Sequence, residues 1–140
     1  MKRILVGFDG SSAAQTALAF AADLAEHYQA VVHVVAVAQP PEIGDDIETE
    51  ALIERSESRA RERLAKVEAL YPRVAMVTAT RVGHPAEQLL RYAEQNAIDH
   101  IVLGHRGRSF LDRWLLGSVS RRVVSYADCT VTITRPNGDN

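Results

Sequence analysis

The sequence has too few cysteines to build a disulfide framework. Its 140 residues include one cysteine, Cys129, so no disulfide forms within the chain. Apolar runs are also short, because none approaches the roughly 18 residues that a membrane-spanning helix requires. The apolar stretch near the N-terminus is soon followed by polar residues, which is not the pattern of a signal peptide. We therefore expect a cytoplasmic protein that does not bind to membranes.

Two common nucleotide-binding motifs are missing as well. The chain has neither the Gly-x-x-x-x-Gly-Lys-Ser/Thr motif, which supplies the P-loop lysine, nor the Gly-x-Gly-x-x-Gly dinucleotide fingerprint. Its histidines lack metal-ligand spacing on a common face, so we expect no metal held by the protein alone. A net charge of −2 argues against a nucleic-acid partner. Hydrophobic residues at 46% and charged residues at 24% are typical of a soluble globular domain.

Short apolar runs alternate with helix-like segments along the chain. Strands are predicted at 3–8, 31–37, 73–81, 99–104 and 130–134. Helices are predicted between them, at about 12–29, 46–70, 85–96 and 118–127. This alternation predicts a single doubly wound α/β domain, with a parallel sheet and helices on both faces, over residues 1–136. The last four residues, 137–140, are expected to form a frayed tail.

The first predicted helix follows an acid and carries a start signal. Ser12 with Gln15 three residues later is a capping-box pattern, which predicts that the helix begins there. Asp9 precedes it, at the end of the first strand. A carboxylate in that place accepts hydrogen bonds from ribose hydroxyls or ligates a phosphate-bound Mg²⁺. Its alternative role is to initiate the turn before Ser12.

A second candidate site lies between the fourth strand and the last helix. The connection at 105–116 has twelve residues, whereas such connections usually have two to six. Gly104 and Gly107 allow backbone amides to converge on an anion. Residues 100–126 contain five arginines and one acid. The next helix opens at Gly117-Ser118 and continues through Val119 and Ser120. Its first amides and hydroxyls add hydrogen-bond donors, so this segment is typical of a phosphate-binding loop.

The two candidate sites bear on the order of the strands. In doubly wound sheets the ligand lies beyond the carboxyl ends of the strands, where the strand order reverses. If Asp9 and Gly104 share one site, the first and fourth strands are neighbours and the order is 3-2-1-4-5. The alternative, 2-1-3-4-5, places the third strand beside the first. We favour the order 3-2-1-4-5.

The glycine spacing resembles that of the universal stress proteins, in their ATP-binding branch. That branch has the motif Gly-x2-Gly-x9-Gly-Ser/Thr, which Gly104, Gly107 and Gly117-Ser118 match without a gap. Further similarities are an apolar strand running into Asp-Gly-Ser at 4–11, the pair His33-Val34 and the turn Gly83-His84-Pro85. The resemblance therefore covers almost the whole chain.

This resemblance implies the same 3-2-1-4-5 sheet and an ATP site beside Asp9, with Mg²⁺ arriving only on the phosphates. It implies a homodimer through the edge of the last strand, Thr130–Thr134, although many members have proline at the position of Thr130. Asp9 would hold the ribose and Val34 would contact adenine through its backbone. The nucleotide-binding residues implied by position are Gly7, Phe8, Asp9, Val34, Leu103, Gly104, Arg106, Gly107, Gly117, Ser118, Val119 and Ser120.

The function that follows is that of an ATP-binding stress-response regulator or sensor. No catalytic base, paired carboxylates or catalytic lysine can be assigned, so we expect slow ATP hydrolysis at most. Two alternatives stay open from the residues alone. One is a phosphotransferase-type enzyme that uses the same crevice, and the other is a partner-binding module that binds no nucleotide.

Overall fold

The protein is a five-stranded parallel sheet with helices on both faces. The computed structural model describes residues 1–39, 47–105 and 117–136. The strands are β1 (Arg3–Gly7), β2 (Val31–Ala38), β3 (Ala75–Val82), β4 (His100–Gly104) and β5 (Thr130–Thr134). The helices are α1 (Ser12–Tyr28), α2 (Ile47–Leu70), α3 (Pro85–Gln95) and α4 (Ser118–Tyr126). The predicted tail at 137–140 lies outside the described residues.

The strand order is β3-β2-β1-β4-β5, and all four pairings are parallel. This confirms the predicted order and excludes the alternative in which β3 lies beside β1. The strand order reverses at the β1/β4 boundary, because β2 and β3 are added on one side of β1 and β4 and β5 on the other. At this boundary Leu5 lies beside Ile101. In such sheets this boundary is where a crevice opens beyond the carboxyl ends of the strands. Thr130–Thr134 forms one edge of the sheet.

The sheet separates two apolar cores because successive side chains of a strand point to opposite faces. Ile4 and Val6 of β1 pack with α1 and α2 on one face, whereas Leu5 packs with α3 and α4 on the other. The central strands β1 and β4 are buried on both faces, which explains their continuous apolar runs. Among the described helices, none is both long and apolar enough to cross a membrane.

Helix α1 begins where the sequence predicted, but its cap is different. Ser12 is the first helical residue, and the N-cap is Ser11, whose Oγ accepts a hydrogen bond from the Ala14 amide at 3.1 Å. The predicted capping box was therefore wrong by one position. Two adjacent serines offer the same chemistry, and the turn at Gly10, with φ of +82°, places the first of them at the cap.

Candidate functional site

A cavity of about 400 Å³ opens at the β1/β4 boundary, beyond the carboxyl ends of the strands. Its floor is formed by the ends of β1 and β4, with Gly7 and Phe8 from one and Leu103 and Gly104 from the other. The starts of three helices, α1, α3 and α4, surround it. The two predicted sites, one after β1 and one after β4, therefore form a single cavity.

One side of the cavity is the first turn of α4. Gly117 is the N-cap residue, and because it has no side chain it offers no cap hydrogen bond. The amides of Ser118, Val119 and Ser120 are the helix donors that have no partner within the helix. All three residues line the cavity, and Gly117 and Ser118 are exposed. This turn is suited to bind an anion, because its amides and the positive end of the helix dipole face the same space.

Asp9 and Ser11 lie at the β1 side of the same cavity. The Asp9 carboxylate accepts a hydrogen bond from the Ser11 amide at 3.0 Å. This contact supports the alternative role of initiating the turn, because a carboxylate two residues before an amide closes an Asx-turn. A carboxylate has about four acceptor positions, so closing this turn does not exclude a contact with a ligand hydroxyl. The two predicted roles of Asp9 are therefore compatible.

Gly104 allows the end of β4 to lie directly against the first turn of α1. A Cβ atom at this position would lie 2.5 Å from the carbonyl carbon of Ala13, closer than real Cβ contacts. Glycine is required here by the close approach of the two backbones and not by its conformation, since the φ of Gly104 is not positive. The close packing of β4 on α1 keeps the starts of α1 and α4 beside the same cavity.

The opposite wall of the cavity is apolar. It is formed by Val35 and Val37 of β2 and by Pro85 and Leu89 of α3, and Gln39 also lines the cavity. Pro85 is at the first helical position, where its missing amide costs no helix hydrogen bond. The cavity therefore has an apolar wall for a flat, weakly polar group and, at α4, a turn suited to an anion.

A buried polar pair lies on the same face of the sheet as this wall. His33 of β2 and Tyr92 of α3 share a hydrogen bond of 2.7 Å between Nδ1 and the phenolic oxygen. Burial lowers the pKa of His33, and the nearby Arg3 lowers it further. Burial also raises the pKa of Tyr92, although Arg81, whose guanidinium lies 5.0 Å from the ring centre, opposes this. At neutral pH the pair is uncharged and fixes α3 against β2.

Most of the predicted site residues line this cavity. Arg106 and Gly107 lie outside the described residues, so their predicted place in the phosphate loop is not described. Val34 does not line the cavity. The predicted residues that do are Gly7, Phe8, Asp9, Leu103, Gly104, Gly117, Ser118, Val119 and Ser120.

Val34 does not line the cavity because successive side chains of β2 point to opposite faces of the sheet. It pairs with Val6, and its buried side chain packs on the α1/α2 face, away from the cavity. Val35 and Val37 lie on the α3/α4 face and line the cavity instead. The rule that ligands lie beyond strand ends could have found these residues, since it points to the end of β2 rather than to its middle. A backbone contact of Val34 with a ligand stays a prediction.

The fold and the cavity define a class of protein, the doubly wound α/β domains whose ligand cavity lies at the switch point of the sheet. Residues 1–135 match the model of the universal stress protein family. The chain is 32% identical to universal stress protein MJ0531 of Methanocaldococcus jannaschii, over 96% of this chain and 82% of that protein. The chain therefore belongs to the universal stress protein family.

Solved structures agree with this assignment. The fold matches that of the universal stress protein UspA from Lactobacillus plantarum with a TM-score of 0.86 and 28% identity, over 96% of this chain and 97% of that one. Two more distant neighbours contain nucleotides. One is a universal stress protein in complex with cAMP (TM-score 0.69, 24% identity, 96% of both chains). The other is an Arabidopsis thaliana family member with AMP bound (TM-score 0.72, 16% identity, 99% of this chain and 94% of that one).

Proposed function

We propose that this chain is an ATP-binding stress-response regulator of the ATP-binding branch of its family. The observation that supports this proposal is the cavity at the β1/β4 boundary, which combines an uncapped helix start, a carboxylate and an apolar wall. A nucleotide has three matching parts, namely phosphates, a ribose and a base. The match of Gly104, Gly107 and Gly117-Ser118 to the family motif supports ATP in particular.

In this proposal the phosphates lie at the start of α4. The amides of Ser118, Val119 and Ser120, the Ser118 hydroxyl and the loop residues Arg106 and Gly107 would hold them. The ribose hydroxyls would donate to Asp9, and the base would pack against Val35, Val37 and Leu89. The cavity volume of about 400 Å³ lies within the range of ligand pockets, ~300–1,000 Å³.

We infer that any Mg²⁺ arrives on the ATP phosphates. The described residues contain no group of three or more histidine, cysteine or acidic side chains placed to hold a metal ion. The site also offers no assigned catalytic base, so we expect ATP to be held in the cytoplasm and hydrolysed slowly at most. Regulation would then follow from the difference between nucleotide-bound and free forms.

Calorimetry with a matched pair of serine variants tests this proposal. Ser118→Ala removes a hydroxyl beside the cavity, whereas Ser125→Ala removes one later on the same helix, where it bonds to the Arg121 carbonyl. Losing a hydrogen bond to a charged phosphate should weaken ATP binding about tenfold in Ser118→Ala. Ser125→Ala should bind as the wild type does. Wild-type protein that binds no ATP with Mg²⁺, and releases no nucleotide on unfolding, would contradict the proposal.

We propose further that the chain forms a homodimer through β5. Thr130–Thr134 lies at the edge of the sheet, and an edge strand presents backbone donors and acceptors that a second copy can pair. Sedimentation velocity should therefore give twice the chain mass at micromolar concentration. A monomer at every concentration tested would reject this assembly.

A further inference from the structure

One side chain from outside the cavity contacts the turn that carries Asp9. Arg63, on the exposed side of α2, donates a hydrogen bond from Nη1 to the Asp9 carbonyl oxygen at 3.3 Å. The two residues are 54 positions apart in the sequence. Arg63 does not line the cavity itself, and its contact with the site is made through the turn.

The same side chain lies directly over Gly10. A Cβ atom at Gly10 would lie 2.8 Å from Nε and 2.9 Å from Cδ of Arg63. Gly10 also has a φ of +82°, a conformation that residues with a Cβ rarely adopt. The glycine thus serves two purposes at once, since it makes the turn and leaves room for the arginine.

The turn is therefore held from two sides. Within it, the Asp9 carboxylate accepts from the Ser11 amide, and the Ser11 hydroxyl caps α1. From α2, Arg63 fixes the peptide that joins Asp9 to Gly10. The Ser11 amide that holds the Asp9 carboxylate follows this peptide in the turn, so a shift of the peptide would also disturb the carboxylate.

We propose that Arg63 is a positioning residue that sets the Asp9 carboxylate for the ribose hydroxyls of the nucleotide. The inference rests on the proposed function, in which Asp9 receives these hydroxyls. It adds that α2, a helix outside the cavity, controls how strongly the site distinguishes a ribose from a sugar without hydroxyls. Removing Arg63 should weaken only the ribose contact and leave the phosphate and base contacts unchanged.

The test compares ATP with 2′,3′-dideoxy-ATP, which lacks both hydroxyls. Arg63→Ala should weaken ATP binding about threefold to tenfold, in line with couplings between residues in contact. Binding of dideoxy-ATP should change less than about twofold, within the error of additive effects. The matched control is Arg61→Ala, which removes the same charge from the same helix at a residue that pairs with Glu57. That variant should leave both affinities unchanged.

A double variant distinguishes positioning from a general loss of charge. If Arg63 acts through Asp9, Asp9→Ala/Arg63→Ala should bind ATP no more weakly than Asp9→Ala alone. Equal weakening of ATP and dideoxy-ATP in Arg63→Ala would overturn the inference, as would additive losses in the double variant. Wild-type protein that binds neither nucleotide would overturn both this inference and the proposed function.

A measurement without nucleotide tests the same contact independently. The Ser11 amide is held by the Asp9 carboxylate, so its hydrogen exchange reports on the turn. Exchange at Ser11 should be faster in Arg63→Ala than in Arg61→Ala, with equal melting temperatures for the two variants. Identical exchange at Ser11 in these variants would show that Arg63 does not hold the turn, even if ATP binds as proposed.

Discussion

Of the three helices that begin beside the cavity, α1 and α4 have first turns that are built differently. At the start of α1, the Ser11 hydroxyl accepts from the Ala14 amide, so the protein satisfies this helix end itself. At the start of α4, Gly117 supplies no side chain to do so. A serine cap in place of an uncapped residue usually adds about 1 kcal/mol of stability. The absence of such a cap beside a cavity is the feature expected of a helix start that serves a ligand.

The two helix starts give one cavity both a rigid turn and a set of amides suited to an anion. The capped turn of α1 holds Asp9 and Ser11 in fixed positions through hydrogen bonds within the protein. The uncapped turn of α4 leaves its amides for an anion, where the helix dipole favours negative charge. If both turns were capped, the cavity would have fewer amide donors for an anion. If neither were capped, Asp9 would not be held in a fixed position.

The largest expected effect comes from Gly104, which packs β4 against the first turn of α1. In Gly104→Ala the new methyl group would collide with the Ala13 backbone, which cannot move aside as a flexible side chain can. We expect the free energy of unfolding to fall by about 3 kcal/mol. Urea denaturation followed by circular dichroism measures this change.

Gly117→Ala is the matched control for that variant. A Cβ atom at Gly117 would meet no atom within 4 Å, and its φ of −64° suits any residue. We expect a loss below about 1 kcal/mol, which is the difference in N-cap preference between glycine and alanine. Equal losses for the two variants would show that β4 is not closely packed on α1.

The second prediction concerns a variant in which α4 receives a side-chain cap like that of α1. In Gly117→Asp the new carboxylate can accept from the amides of Val119 or Ser120, which should raise the free energy of unfolding by about 1 kcal/mol. It would also occupy donors meant for a phosphate and repel that phosphate. We therefore expect ATP affinity to fall more than about tenfold, measured by calorimetry.

Gly117→Ser separates the two causes, because it adds a cap without a charge. Its stability gain should be smaller, about 0.3 kcal/mol, because glycine is itself only slightly worse than serine at an N-cap. Its loss of affinity should also be smaller. The opposite signs of the two effects are the essential result. A variant that gains stability and binds ATP as well as the wild type would show that the α4 amides do not hold the phosphates.

The third prediction removes the cap of α1. Ser11→Ala deletes the hydroxyl that accepts from Ala14 and should lower the free energy of unfolding by about 1 kcal/mol. The matched control is Ser12→Ala, since Ser12 is the exposed first helical residue. That change should stay within about 0.5 kcal/mol. A larger loss for Ser12→Ala would restore the capping box expected from the sequence.

The fold could be predicted from the sequence because its signals are local and agree with one another. The central strands are apolar runs, and each helix has its own periodicity. In β5 threonines alternate with Val131 and Ile133, and this strand was predicted with the bounds it has in the structure. The strand order needed one further step, the assumption that Asp9 and Gly104 share a site. Both residues line one cavity, as that assumption requires.

The site was predicted less completely, because parts of it depend on tertiary contacts. The apolar wall of Val37, Pro85 and Leu89 forms only when β2 and α3 pack together. Val34 was chosen from a two-residue motif, which does not show which face of the sheet its side chain takes. Arg63 gave no signal at all, since an arginine among charged residues of a long helix is typical of a solvated face. Its contact with Asp9 is visible only once α2 is folded back on the sheet.

The smallest expected effect is a dependence of stability on pH that does not involve the helix starts. Burial lowers the pKa of His33 and of His100, whose Nε2 shares a hydrogen bond of 2.7 Å with the Thr132 hydroxyl. Arg3 lowers the pKa of His33 further, whereas Asp99 partly opposes the lowering of the pKa of His100. In the unfolded chain the pKa of both histidines returns to the ordinary value of 6.5. The unfolded state therefore binds more protons just below that pH.

It follows that the free energy of unfolding should decrease as the pH falls through 6.5, and continue to decrease until the lower pKa values of the folded state are passed. Urea midpoints at pH 7.5 and 5.5 measure this slope, which His33→Gln should reduce. The cap of α1 joins a neutral hydroxyl to an amide, so the cost of Ser11→Ala should be the same at both pH values. A cost that changes with pH would mean that a titrating group takes part in holding the start of α1.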